Sequence, residues 1–266
     1  VYGRKESETC PSLRLKGIIQ RAYEKTGRNV VILIDEYDKP MLQAIGNEKL
    51  LNDYRDTLKA FYGTLKSCDK HIKFALLTGV TKFSKVSVFS DLNNLMDISI
   101  DSRYANICGI TEEELYTYFK DDINILAEKN GINEDEAKKE LKEWYDGYHF
   151  VKDGDDIYNP FSILNTFAKM SFDSYWFETG TPTFLVELLK TSNYNLNRLT
   201  EEMASADSLG GIDTMYANPV PILYQSGYLT IKGFDKEFKV YLLGFPNREV
   251  EEGFTKYLLP NYAHIK

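Results

Sequence analysis

"NVVILIDEYDKP", Asn29 to Pro40, is the stretch on which the reading of this chain turns. Five apolar residues, Val30 to Ile34, run without a break into two adjacent acids, Asp35 and Glu36. A continuous apolar run of this length predicts a strand with helices on both faces. Open α/β sheets bind their ligands beyond the carboxyl ends of such strands. An acid pair placed there can divide two tasks. Asp35 would hold Mg²⁺ through its bound waters, and Glu36 would polarise an attacking water. The plainer alternative is that a strand ends and the chain returns to solvent.

Working outward, Leu13 to Thr26 places Leu15, Ile18, Ile19 and Ala22 on one helical face, and Gly27 stops that helix. Asp53 to Lys66 predicts a second amphipathic helix with Tyr54, Leu58, Phe61, Tyr62 and Leu65 inward. "HIKFALLTGVT", His71 to Thr81, predicts a second buried strand that closes on Thr78 and Gly79. "LMDISID", Leu95 to Asp101, predicts a third. This alternation implies an α/β fold with a parallel, helix-covered sheet over residues 1–105.

The pattern then changes. "TEEELYTYF" opens with Thr111 and Glu114 spaced as a capping box. Further helices are expected over Glu134 to Tyr145 and over Asn159 to Met170, the latter with Pro160 in its first turn. "SYWFETGTPTFLVELLKT" reads as a short extended piece followed by a helix. Residues 106–215 thus predict a helical subdomain. From residue 216 onward, a helix ending at Gly227, two strands in "YLTI" and "VYLLGF", and a final helix in "NREVEEGFTKYLL" predict a winged-helix-like region over 216–266. The acids Glu249, Glu251 and Glu252 on that last helix favour packing or protein contact over phosphate contact.

Composition narrows the function classes. Hydrophobic residues make up 43% of 266, enough for a substantial core. The 40 acids and 32 bases give a net charge of -8, which argues against a surface built to coat phosphates. Three scattered cysteines, no CxxC and three histidines argue against a disulfide framework or a zinc site. No apolar run approaches the roughly 18 residues of a membrane span, and no signal peptide is visible. A cytoplasmic setting without a membrane partner is the expectation.

Several long phrases carry a resemblance. "VVILIDEYDKP", "LKAFYGTLK", "KFALLTGVTKFSKVSVFSDLNNL", "YDGYHF", "IYNPFSILN", "YWFETGTPTFLVELL" and "LYQSGYLTI" together resemble the bacterial AAA-ATPase-like family. That resemblance implies a P-loop ATPase core, a helical lid and a winged-helix-like region, with ATP and Mg²⁺ as cofactors. It also implies that Asp35 and Glu36 form the second nucleotide motif and that Thr78 is the first sensor of the γ-phosphate. Such proteins often carry a PD-(D/E)XK nuclease-like domain. This chain departs from the pattern at one point, because no GxxxxGKS or GxxxxGKT occurs in it. The phosphate-cradling loop is expected upstream of Val1 and the nuclease-like domain downstream of Lys266, so that the chain reads as an internal piece. Nucleic acid would then be met only through parts outside this chain. A protein partner or self-association stays open, as does a non-hydrolysing interaction module on a degenerate P-loop fold.

Other residues leave two readings open. Lys82, Ser84 and Lys85 follow the sensor strand and could touch phosphate, or form a solvated loop. Asp38 and Lys39 could support the acids or pair at a surface turn. His149 could reach a nucleotide from the lid or anchor an aromatic cluster. Glu178 reads as part of a structural turn. Arg55, Arg103 and Arg248 are equal candidates for an arginine finger.

Overall fold

The computed structural model describes residues 2–44, 46–82, 88–89, 92–152, 154–179, 202–210 and 218–258, with 189, 192, 194, 195 and 199. The chain divides into two compact units, Val1–Met96 with Gly210–Met215, and Asp97–Leu209 with Tyr216–Lys266.

The first unit begins with α1 (Pro11–Thr26), which ends where Gly27 turns to φ 64. A left-handed residue at this position is what favours glycine. Ile19 and Ala22 are buried as expected, but Ile18 is exposed. Glu8 covers the helix instead. A Cβ on Gly17 would run into the Glu8 carboxylate. Arg21 clamps the N-terminal segment here. It donates to the carbonyls of Tyr2 (2.6 Å) and Gly3 (3.0 Å) and pairs with the buried Glu8 carboxylate. The guanidinium holds the Glu8 carboxyl below its usual range. Arg21→Met should therefore leave the Glu8 carboxylate without its partner, lower the thermal midpoint and expose residues 2–8 to protease. Unchanged thermal midpoint and cleavage would show that the clamp is idle.

β1 (Val30–Ile34) and β2 (Ile72–Leu77) pair in parallel, with Val31 opposite Phe74 and Ile34 opposite Leu77. Between them lie α2 (Lys39–Gln43) and α3 (Glu48–Ser67). Asn47 caps α3 by accepting from the Leu50 N–H, so the helix starts earlier than its apolar spacing suggested. Tyr62 and Leu65 are buried, while Tyr54 is exposed.

Two expectations fail in this region. The sheet is not covered on both faces among the described residues, since Val31, Leu33 and Phe74 are 53%, 70% and 52% exposed. An unbroken apolar run does not by itself say which cover is present. Residues 95–101 form no strand. The side chains of Asp97 and Asp101 accept from the N–H groups of Ser99 and Arg103, which offers the backbone an alternative to a ladder.

The second unit opens with α4 (Glu112–Tyr118), held by the expected capping box of Thr111 and Glu114. α5 (Lys120–Asn130) follows, and then α6 (Glu134–Tyr145), opened by another capping box from Asn133 and Glu136. α7 (Pro160–Lys169) carries Pro160 in its first turn under an Asn159 cap. Leu115, Ile123, Leu126, Leu141, Tyr158 and Ile163 form the apolar centre. α8 (Tyr175–Thr179) is helical where an extended piece was expected, and most of the helix expected after it lies outside the described residues.

The unit closes with β3 (Met203–Ser205), α9 (Ala206–Leu209), α10 (Val220–Gln225), β4 (Thr230–Asp235), β5 (Val240–Gly244) and α11 (Arg248–Gly253). The three strands form an antiparallel sheet in the order β3-β5-β4. β4 and β5 are the expected hairpin, and β3 is an addition to it. Of the acids on the last helix, Glu249 is a packed group and not a surface charge. It is fully buried, accepting from the Ser162 hydroxyl (2.7 Å) and the Trp176 N–H (2.6 Å).

Candidate functional site

Parallel pairing brings the two strand ends level. Ile34 and Leu77 are the last matched pair of β1 and β2. The next residues, Asp35 and Thr78, therefore lie side by side. The Thr78 N–H donates to the Ile34 carbonyl (2.8 Å), and the Tyr37 N–H donates back to the Thr78 carbonyl (2.9 Å). These bonds carry the ladder one step past the sheet. The Thr78 hydroxyl donates to Asp35 Oδ1 at 2.6 Å, across 43 residues of sequence. The Glu36 N–H donates to the same oxygen at 2.9 Å.

Glu36 has φ 53, in the left-handed region that a non-glycine residue enters at a cost of about 1–2 kcal/mol. The turn is sharp for that reason, and the Glu36 side chain finds its partner three residues on. Its Oε2 meets the Lys39 ammonium at 2.6 Å, with both side chains about half exposed. That contact holds the Lys39 ammonium above its usual range. Lys39 is thus the partner of Glu36. Asp38 is no surface residue. It is fully buried, and its carboxylate accepts from Val80, Thr81 and the Thr81 hydroxyl.

The three sequence candidates therefore share one exposed edge, with Asp35 and Thr78 in contact and Glu36 adjacent. Asp35 Oδ2 and Glu36 Oε1 have no hydrogen-bond partner among the described residues. Among these residues no group of three or more His, Cys, Asp or Glu could hold a metal ion. Mg²⁺ in nucleotide sites commonly uses one or two carboxylates with several waters and the substrate phosphates. One exposed carboxylate with an uncommitted oxygen fits that donor set.

Sequence reading missed Asp38, Tyr37, Gly79 and Thr81 as one cluster. The available signal was Gly79 directly after Thr78, since glycine marks a close backbone approach. The remaining candidates fall elsewhere. Ser84 and Lys85, and the Glu178 side chain with the turn after it, lie outside the described residues. His149 belongs to the second unit. Its Nδ1 is 2.9 Å from Asp156, and its N–H donates to the Thr230 hydroxyl. Arg103 pairs with Asp101 and Arg248 with Glu252, while Arg55 Nε is buried without a partner. No helix among the described residues is long and apolar enough to cross a membrane.

Comparison with known proteins bears on the same segment. An "Uncharacterized protein in vnfD 5'region" of Azotobacter chroococcum mcd 1 is 40% identical over 251 residues, covering 94% of this chain and 46% of that protein. The chain thus spans about half the length of this curated relative. No solved structure matches the chain. The model of the AAA-ATPase-like family, described as a predicted AAA-ATPase, matches residues 2–89, the stretch that brings Asp35, Glu36 and Thr78 together.

Proposed function

We propose that Asp35, Glu36 and Thr78 form the acidic and sensing half of a Mg²⁺–ATP site in an ATP-hydrolysing switch protein. The observation that carries this reading is the 2.6 Å contact between Thr78 and Asp35 at the carboxyl ends of paired parallel strands. The family match over the same residues supports it. When bound, Mg²⁺ neutralises charge on the β- and γ-phosphates. Asp35 would hold the ion through its waters. Glu36 orients the attacking water and accepts its proton, and the Thr78 hydroxyl reads the terminal phosphate. The glycine-rich motif that would cradle the phosphates does not occur in this sequence, so the proposal covers only the acidic and sensing half of the site. The winged-helix-like region would move with hydrolysis.

A second reading has its own observation. Val31, Leu33 and Phe74 leave one sheet face apolar and open, as an interaction module on a degenerate nucleotide fold would.

Calorimetric titration of Mg²⁺–ATP into residues 1–266 and into the full-length protein separates the two. Saturable binding in the full-length protein, weak or lost in residues 1–266, is the expected result. No heat in either would leave the interaction module as the reading to pursue.

A further inference from the structure

We infer that Asp38 is a positioning residue for this site, its buried carboxylate gripping the turn after β2 and thereby fixing the Thr78 hydroxyl against Asp35. The turn itself is exposed at Thr78, Gly79 and Val80. Left to solvent, such a turn would not hold a threonine side chain in one rotamer. Asp38 supplies what the turn lacks. Its Oδ1 accepts from the Val80 N–H (3.2 Å), and its Oδ2 accepts from the Thr81 N–H and the Thr81 hydroxyl (2.7 Å). A carboxylate is a stronger acceptor than a neutral oxygen, and here two oxygens serve three donors.

Asp38 is fixed in its turn. Its carbonyl accepts from Met41 and Leu42 in α2, at 2.9 and 3.0 Å. Tyr37 reinforces the same link, donating from its hydroxyl to the Thr81 carbonyl at 2.8 Å. Tyr62 in α3 donates to the Tyr37 carbonyl at 3.1 Å. Gly79 lets the strands' ends approach this closely. A Cβ there would stand 2.5 Å from Asp38 Oδ1 and 2.7 Å from the Tyr37 ring. The line of support runs from α2 through Asp38 and from α3 through Tyr37 to Thr81, and from the turn to Thr78 and Asp35. Asp38 itself faces the turn and not the exposed edge.

Asp38→Asn tests this with little change of volume. An amide offers one acceptor oxygen and turns an NH₂ group against N–H donors of the turn. Without nucleotide, in residues 1–266, three-bond couplings should show Thr78 in a single χ1 rotamer in the parent. Asp38→Asn should average it, and Thr81→Val should fall between. The Tyr23–His71 ring contact, 4.4 Å between centroids, serves as the control for folding. A single Thr78 rotamer in Asp38→Asn overturns the inference. Should that variant lose the Tyr23–His71 contact, Thr81→Val decides by the same criterion.

A further arm rests on the nucleotide reading. In the full-length protein, the affinity ratio of Mg²⁺–ATP to Mg²⁺–ADP should fall about tenfold in Asp38→Asn with ADP affinity retained. A merely structural role would weaken both nucleotides alike. An unchanged ratio overturns the positioning role. Binding of neither nucleotide by the parent overturns the nucleotide reading, and the rotamer measurement still judges Asp38.

Discussion

Glu36→Gln in the full-length protein is expected to lower ATP turnover by about 10²–10³-fold while leaving Mg²⁺–ATP affinity within about threefold. The substitution is nearly isosteric. A glutamine oxygen can still accept from Lys39, and the left-handed backbone at residue 36 is not asked to change. What is lost is basicity at the one carboxyl oxygen that faces no partner. Binding should survive because Asp35 and Thr78 keep their contact. Single-turnover kinetics beside equilibrium binding would separate the two quantities. Full turnover in Glu36→Gln would remove Glu36 from the role, and a parallel loss of binding would make it a structural acid.

The second large effect concerns pH and the other unit. Glu249 is buried with no Lys, Arg or His paired to it among the described residues. Burial pushes its carboxyl up to about 7, against the opposing pull of the Ser162 hydroxyl and the N–H groups of Trp176, Phe177 and Tyr175. The groups facing it from α6 and the turn beyond are the phenols of Tyr145 and Tyr148, both raised by burial and neutral throughout this range. Arg248, next to it, is committed to Glu252. The sign follows from linkage. The folded state holds a proton that the unfolded carboxyl, with its ordinary value of 4.5, has released. Stability from this group is complete below pH 4.5 and is lost as pH rises to about 7. The loss should be about 3 kcal/mol at one pKa unit per 1.36 kcal/mol. Both tryptophans, Trp144 and Trp176, lie in this unit, so their fluorescence reports its unfolding in urea. Glu249→Gln should flatten the dependence between pH 5 and 8. Equal pH slopes in parent and variant would show that Glu249 does not titrate there.

How far the sequence reveals all this differs by residue. The level strand ends were legible, because two apolar runs of similar length each stopped at a polar residue. Parallel pairing then had to bring Asp35 near Thr78. The caps at Thr111 and Gly27 were legible because they act within a few residues of chain. Which acid of the last helix is packed was not legible, because the partners of Glu249, Ser162 and Trp176, are 87 and 73 residues away and no local pattern marks an acid as buried. Asp38 was undecided for the same reason, its donors lying over 40 residues downstream. The third strand failed because Asp97 and Asp101 offered the backbone competing bonds that an apolar count ignores.

The pairing of β1 with β2 also sets an order of events during synthesis. Val30 must wait for Ile72 to emerge before its ladder can form. Closing a loop of 43 residues costs about 3 kcal/mol of chain entropy, to be recovered only when the whole ladder is made. Until then "VVILI" is an unpaired strand of high β-propensity, a template for pairing with other chains. Arg28 on one side and Asp35 with Glu36 on the other act as charged gatekeepers around it. The acids proposed for the nucleotide site would thus also guard the nascent chain against aggregation, and neutralising them together should lower the yield of soluble protein.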